Sequence, residues 1–144
     1  MMSEKLISLK MEMVKSPQEA IIESGKLLLK NGNIKDEYID SMINSYKKNG
    51  AYIVIAPRIA MPHAREKDGV INAGFSILTL KEPIKFGNEE NDPVDVIIGL
   101  ASGNSEEHIE IIQKITKIFS NKEKLEVIFK TTDKKEVIKL FEEE

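Results

Sequence analysis

The chain has 144 residues, 41% hydrophobic and 31% charged, a balance that fits one domain with a sizeable core and argues against disorder. Its 21 basic and 24 acidic side chains leave a net charge of -3, without the basic footprint that nucleic acid requires. No apolar run reaches the ~20 residues of a membrane span, "MMSEKLISLK" lacks the apolar stretch of a signal peptide, and the absence of cysteine excludes disulfides and thiolate chemistry.

In chain order, "ISLKMEM" alternates apolar and polar residues from Ile7 to Met13 and predicts a half-buried strand. "SPQEAIIESGKLLLKNG" predicts a helix with Ser16 as N-cap, Pro17 at the first helical position, Glu19 completing a capping box and Gly32 as the stop. "KDEYIDSMINSYKKNG" places Ile39, Met42, Ile43 and Tyr46 at helical spacing, with Gly50 as its stop. "YIVIA", "GFSILTL" and "VDVIIGLA" read as strands, the last apolar enough to be central. "KEPIKFGNEENDP" is a turn-rich connection with room for one short strand. "NSEEHIEIIQKITKIFSN" is a helix capped by Asn104 or Ser105, with Ile111, Ile112, Ile115, Ile118 and Phe119 as its stripe. Two shorter helices and a solvated acidic tail follow. Strands alternating with helices predict an α/β fold: one domain over residues 1–144, a mixed sheet of roughly five strands flanked by helices on its faces.

Only two histidines are present. His108 precedes Ile111 and Ile112 by three and four residues, which places it on the inward stripe in the first turn of its helix. There it is either a core histidine with a satisfied hydrogen bond or a donor to an anion at the helix N-terminus. His63 follows Pro62 at the exit of an apolar strand, where sites gather in α/β proteins. A neutral imidazole there could accept a phosphoryl group, act as a base or bind metal, or it could be a plain loop residue. The histidines are 45 residues apart with no His-x-x-x-His spacing, so metal is the weakest option. No Gly-x-Ser-x-Gly elbow and no glycine-rich nucleotide loop occurs.

"IAMPHA", "GFSILTL", "IKFGNEENDPVDVIIGLA" and "SEEHIEIIQKI" together resemble the IIA components of the bacterial sugar phosphotransferase system (PTS), mannitol/fructose class. The wording "YIVIAP-IAMPHAR" and "FGNEENDPV" is closest to the ascorbate-type branch. The resemblance implies a cytoplasmic phosphotransferase without metal or cofactor. In it His63 takes a phosphoryl group on Nε2 from the phosphocarrier HPr and passes it to a IIB component, which serves a membrane IIC permease. His108 would help hold the phosphoryl oxygens.

Lys47 stands where many relatives of the mannitol class carry arginine, and Arg58 where the ascorbate-type pattern more often has glycine; both, with Arg65, are candidates to supply charge at the phosphoryl group. An apolar patch around His63 is expected, with Glu89, Glu90 and Asp92 as an acidic rim for HPr. Two other readings compete: a regulatory module of the nitrogen-regulatory type, and a non-catalytic binding domain with structural histidines.

Overall fold

The computed structural model describes residues 2–102 and 105–142. Five strands form one mixed sheet: β1 (Ile7–Met11), β2 (Val54–Ala56), β3 (Ile59–Ala60), β4 (Gly74–Ile84) and β5 (Val94–Ala101). Their spatial order is β1-β4-β5-β3-β2. The β1/β4 and β3/β5 pairs are parallel, and the β4/β5 and β2/β3 pairs antiparallel. β5 is the middle strand and all eight of its residues are buried, which is why its sequence is almost continuously apolar.

Five helices cover the sheet: α1 (Pro17–Lys30), α2 (Asp36–Asn49), α3 (Ser105–Phe119), α4 (Lys122–Lys130) and α5 (Lys134–Glu142). Side-chain parity assigns their faces. Ser76 and Gly99 oppose each other in the β4/β5 ladder, and both meet Ser24 of α1. Phe75, of opposite parity, packs its ring on Phe141 of α5, 5.2 Å between centroids. A Cβ at Gly99 would lie 2.5 Å from Ser76 Oγ, and one at Gly25 would lie 2.7 Å from Ile39 of α2. These two glycines let α1 sit tightly on the sheet and α2 tightly on α1.

The capping predicted for α1 is present with one change. Ser16 accepts from the Glu19 amide, but Glu19 reaches back to the Lys15 amide and not to that of Ser16. β4 runs to Ile84, beyond the predicted "GFSILTL", because Ile84 still pairs with Val94. Tyr52 and Ile53 lie in a 3-10 turn (Gly50–Ile53) ahead of β2, and the two-residue β3 had no signal of its own. Asn104, a predicted helix cap, lies outside the described residues, as does the end of the acidic tail. Among the described residues no helix is long and apolar enough to cross a membrane.

Candidate functional site

The chain around His63 is pinned on both sides. The Met61 amide donates to Ile53 O at 2.8 Å, and the Leu100 amide to Pro62 O at 3.0 Å. His63 itself forms a parallel bridge with Leu100 on the central strand. Pro62 is buried, and His63 is only partly exposed. Within this frame His63 Nδ1 lies 3.0 Å from Met61 O. A carbonyl only accepts, so Nδ1 carries a proton, and in the neutral ring Nε2 keeps a bare lone pair. Nε2 faces the Tyr52 hydroxyl at 3.4 Å.

Tyr38 locks the residue that follows. It is fully buried, and its hydroxyl donates to Leu100 O at 2.8 Å and accepts from the Ala64 amide at 3.0 Å. Tyr38 and Met42 form the buried stripe of α2, with Ile39, Ile43 and Tyr46 beside it. Burial, and secondarily the charge of Asp68, pushes the Tyr38 phenol up to about 12 from 10.0. A folded-state value above the unfolded one means stability that is intact below pH 10 and lost as pH rises through 12. The two-unit gap corresponds to ~3 kcal/mol. Burial also raises Tyr46, so it adds to the same fall. Tyr38→Phe should flatten the alkaline loss of stability between pH 10 and 12, read by denaturant midpoints. At neutral pH it should cost ~1–3 kcal/mol, because Ala64 N–H and Leu100 C=O lose a partner.

The opposite stripe of α2 is polar. Ser41, Asn44, Ser45 and Lys48 follow the i, i+3, i+4, i+7 spacing and line a cleft of about 490 Å³ with Tyr52, His63, Arg65 and Asp68. The cation that α2 gives this cleft is therefore Lys48. Lys47 is exposed and one residue, about 100°, off that stripe. Arg65 lines the cleft, but its Nε lies 3.4 Å from Asp68 Oδ2, the oxygen that also accepts from the Arg65 amide at 3.1 Å and so caps the short 3-10 turn Glu66–Asp68. A second cleft, about 540 Å³, lies among Met2, Leu6, Phe75, Lys114, Phe141 and Glu142 and presents no histidine.

His108 corrects the sequence expectation. It is exposed and not part of the core, because the first turn of α3 lies beyond the end of β5 and the inward stripe meets the core only further along. Its Nδ1 lies 3.0 Å from Ser102 Oγ. With Ser102 donating to Nδ1, the ring's one N–H is on Nε2, a donor suited to an anion. His63 is bridged to Leu100 and His108 hydrogen-bonded to Ser102. The two rings thus hang from points about 7 Å apart along one chain segment.

Arg58 is not at this site. It occupies the β2–β3 turn with a φ of 73°, the left-handed conformation that glycine takes more readily. Its guanidinium grips Asp95 with two bonds, 3.0 and 2.7 Å, and stacks on Phe129 at 3.6 Å. Asp95 and Leu100 are five residues apart on β5, about 16 Å. Asp95→Ala should therefore destabilise by ~1–3 kcal/mol, measured by urea unfolding, without changing the chemistry at His63.

The acidic rim is likewise displaced. Asp92 accepts from the amides of Phe86, Gly87 and Asn88, each at 2.9 Å, so its carboxylate closes the β4–β5 loop. Glu89 and Glu90 are exposed on that loop, at the start of β5, and Leu100 is at its far end. The apolar patch expected around His63 is reduced to Tyr52, 54% exposed, in a cleft otherwise lined mostly by polar side chains. Among the described residues no group of three or more His, Asp or Glu gathers to hold a metal ion.

Over residues 1–144 the sequence matches the model of the family described as phosphoenolpyruvate-dependent sugar phosphotransferase system, EIIA 2. The chain belongs to this family. It is a PTS phosphotransferase component, of a class that carries a phosphoryl group on histidine. The ascorbate-specific PTS EIIA component of Escherichia coli is 34% identical over 126 residues, covering 87% of this chain and 82% of that one. That of Salmonella typhimurium is 38% identical over 105 residues, covering 72% and 68%. The crystal structure of mannitol IIA from Escherichia coli superposes with a TM-score of 0.83 at 29% identity, covering 98% of this chain and 99% of that one. A complex of enzyme IIAMtl with phosphorylated enzyme IIBMtl, also from Escherichia coli, gives 0.85 at 27% identity, covering 100% and 99%.

Tyr38 and Tyr52 were not found by sequence reasoning. Tyr38 had a signal, since Tyr38, Met42 and Tyr46 repeat every four residues. Tyr52 had none, because an aromatic residue before a β-branched run reads simply as strand.

Proposed function

We propose that His63 is the phosphoryl acceptor of this EIIA component, receiving the group on Nε2 from the phosphohistidine of HPr and passing it to a IIB component. The supporting observation is the Nδ1–H bond to Met61 O, which leaves Nε2 as the one nucleophilic nitrogen and turns it toward an open cleft. In the transfer the N–P bond of the donor breaks as the N–P bond to Nε2 forms. No proton moves, because Nδ1 keeps its own. Catalysis is then a matter of positioning and of holding charge on the phosphoryl oxygens. The donors available for that charge are His108, the first amides of α3 and the ammonium of Lys48.

The protein works in the cytoplasm beside a membrane IIC permease, on the path of an ascorbate-type carbohydrate; the ascorbate-specific relatives at 34% and 38% identity favour that class. The complex of the mannitol relative with phosphorylated IIB supports IIB as the next partner. The nitrogen-regulatory reading has less support. A protein of that kind from Neisseria meningitidis is 22% identical, a likeness of fold alone.

Intact mass after incubation with enzyme I, HPr and phosphoenolpyruvate tests the proposal. One acid-labile phosphoryl group, mapped to the peptide of His63, is the expected result. No gain with a working enzyme I and HPr overturns it and brings the binding-domain reading forward.

A further inference from the structure

Tyr52 is more than half exposed, yet its ring stands edge-on to the His63 imidazole, 6.1 Å between centroids at 78°. Its hydroxyl lies 3.4 Å from Nε2. The backbone beneath it is held: Gly50, at a φ of 73°, ends α2, and Ile53 O accepts from the Met61 amide at 2.8 Å. The anchor is fixed, then, while the side chain stands at the surface. Nε2 has a single lone pair. A hydrogen bond from Tyr52 and a bond to phosphorus cannot both use it.

We infer that Tyr52 is a phosphoryl-binding residue with two stations: its O–H donates to Nε2 in the free protein and to a phosphoryl oxygen once Nε2 carries the group. This rests on His63 being the acceptor, as proposed above. As the donor's N–P bond breaks, its electron pair returns to the donor nitrogen, and the Nε2 pair forms the new N–P bond. The phenolic proton stays on Tyr52 and only changes acceptor; Nδ1–H stays with Met61 O. The two stations differ in strength. At 3.4 Å the first is a long, weak hydrogen bond. The second is charge-assisted and roughly twice as strong as a neutral one. Removing the hydroxyl therefore harms the phosphorylated form more than the free form.

Tyr52→Phe tests this in the full chain. Its thermal midpoint should match wild type, since the hydroxyl supports no buried group. The nitrogen NMR shift of His63 Nε2 in the free protein should move. The phosphoryl equilibrium with phospho-HPr should shift toward the donor by on the order of tenfold, and the phosphorylated chain should hydrolyse faster. An equilibrium and half-life within twofold of wild type, on a chain still phosphorylated at His63, overturn the inference whatever the NMR shift does. Failure of the wild type to accept phosphate on His63 overturns the proposed function instead.

Discussion

His63→Ala is expected to accept no phosphoryl group from phospho-HPr, a loss of at least about 10^4-fold in transfer rate. The magnitude follows from there being no substitute. The chain has no cysteine and one other histidine, and that one is held through Nδ1 by Ser102. Stability should hardly change, because the substitution removes one partly exposed hydrogen bond, worth about 1 kcal/mol. Intact mass and a melting curve on the same sample give both readings. A variant that still gained an acid-labile group would place the acceptor elsewhere. One that failed to fold would make His63 a structural residue.

His108→Ala carries the second-largest expected effect. If its Nε2–H faces the phosphoryl oxygens, truncation removes one preorganised donor, a loss of roughly 10²-fold in transfer rate. The effect should fall on the rate of transfer in both directions and leave folding intact, since His108 is exposed. His108→Gln, which can still present an N–H, should recover part of the loss. Rapid-quench measurement of phosphoryl transfer from phospho-HPr separates these cases. A wild-type rate in the alanine variant would confine His108 to the surface role of capping Ser102.

Much of the fold was legible because burial leaves a periodic trace. β5 announced itself as the central strand through eight residues that all had to be buried, and α1 through a cap that any helix start needs. The candidate site drew attention in the sequence where a side chain is rare, as with the two histidines, or where a backbone constraint is written in the sequence, as with Pro62. It was not legible where the partner is remote. Asp92 looked like a rim acid, but its carboxylate is spent on three amides of its own loop. Arg58 looked like a phosphoryl ligand, but its destination was set by Asp95 and Phe129, 37 and 71 residues further along the chain. Lys47 and Lys48 are adjacent in sequence and differ only in which side of a helix they occupy, so a shift of one residue in the assumed phase exchanges their roles.

The group that orients His63 is a main-chain carbonyl, that of Met61. In a serine-protease triad the equivalent task falls to a carboxylate, which a single codon change can delete and which brings its own charge. A peptide oxygen has no proton to gain across the physiological range, and it is supplied by whichever amino acid occupies position 61. The orientation of the His63 ring is thereby guarded against both acid and mutation at its nearest neighbour. It is exposed instead to changes that move the backbone itself: the loss of Pro62, or of the strand pairing at Leu100 against which that backbone is laid.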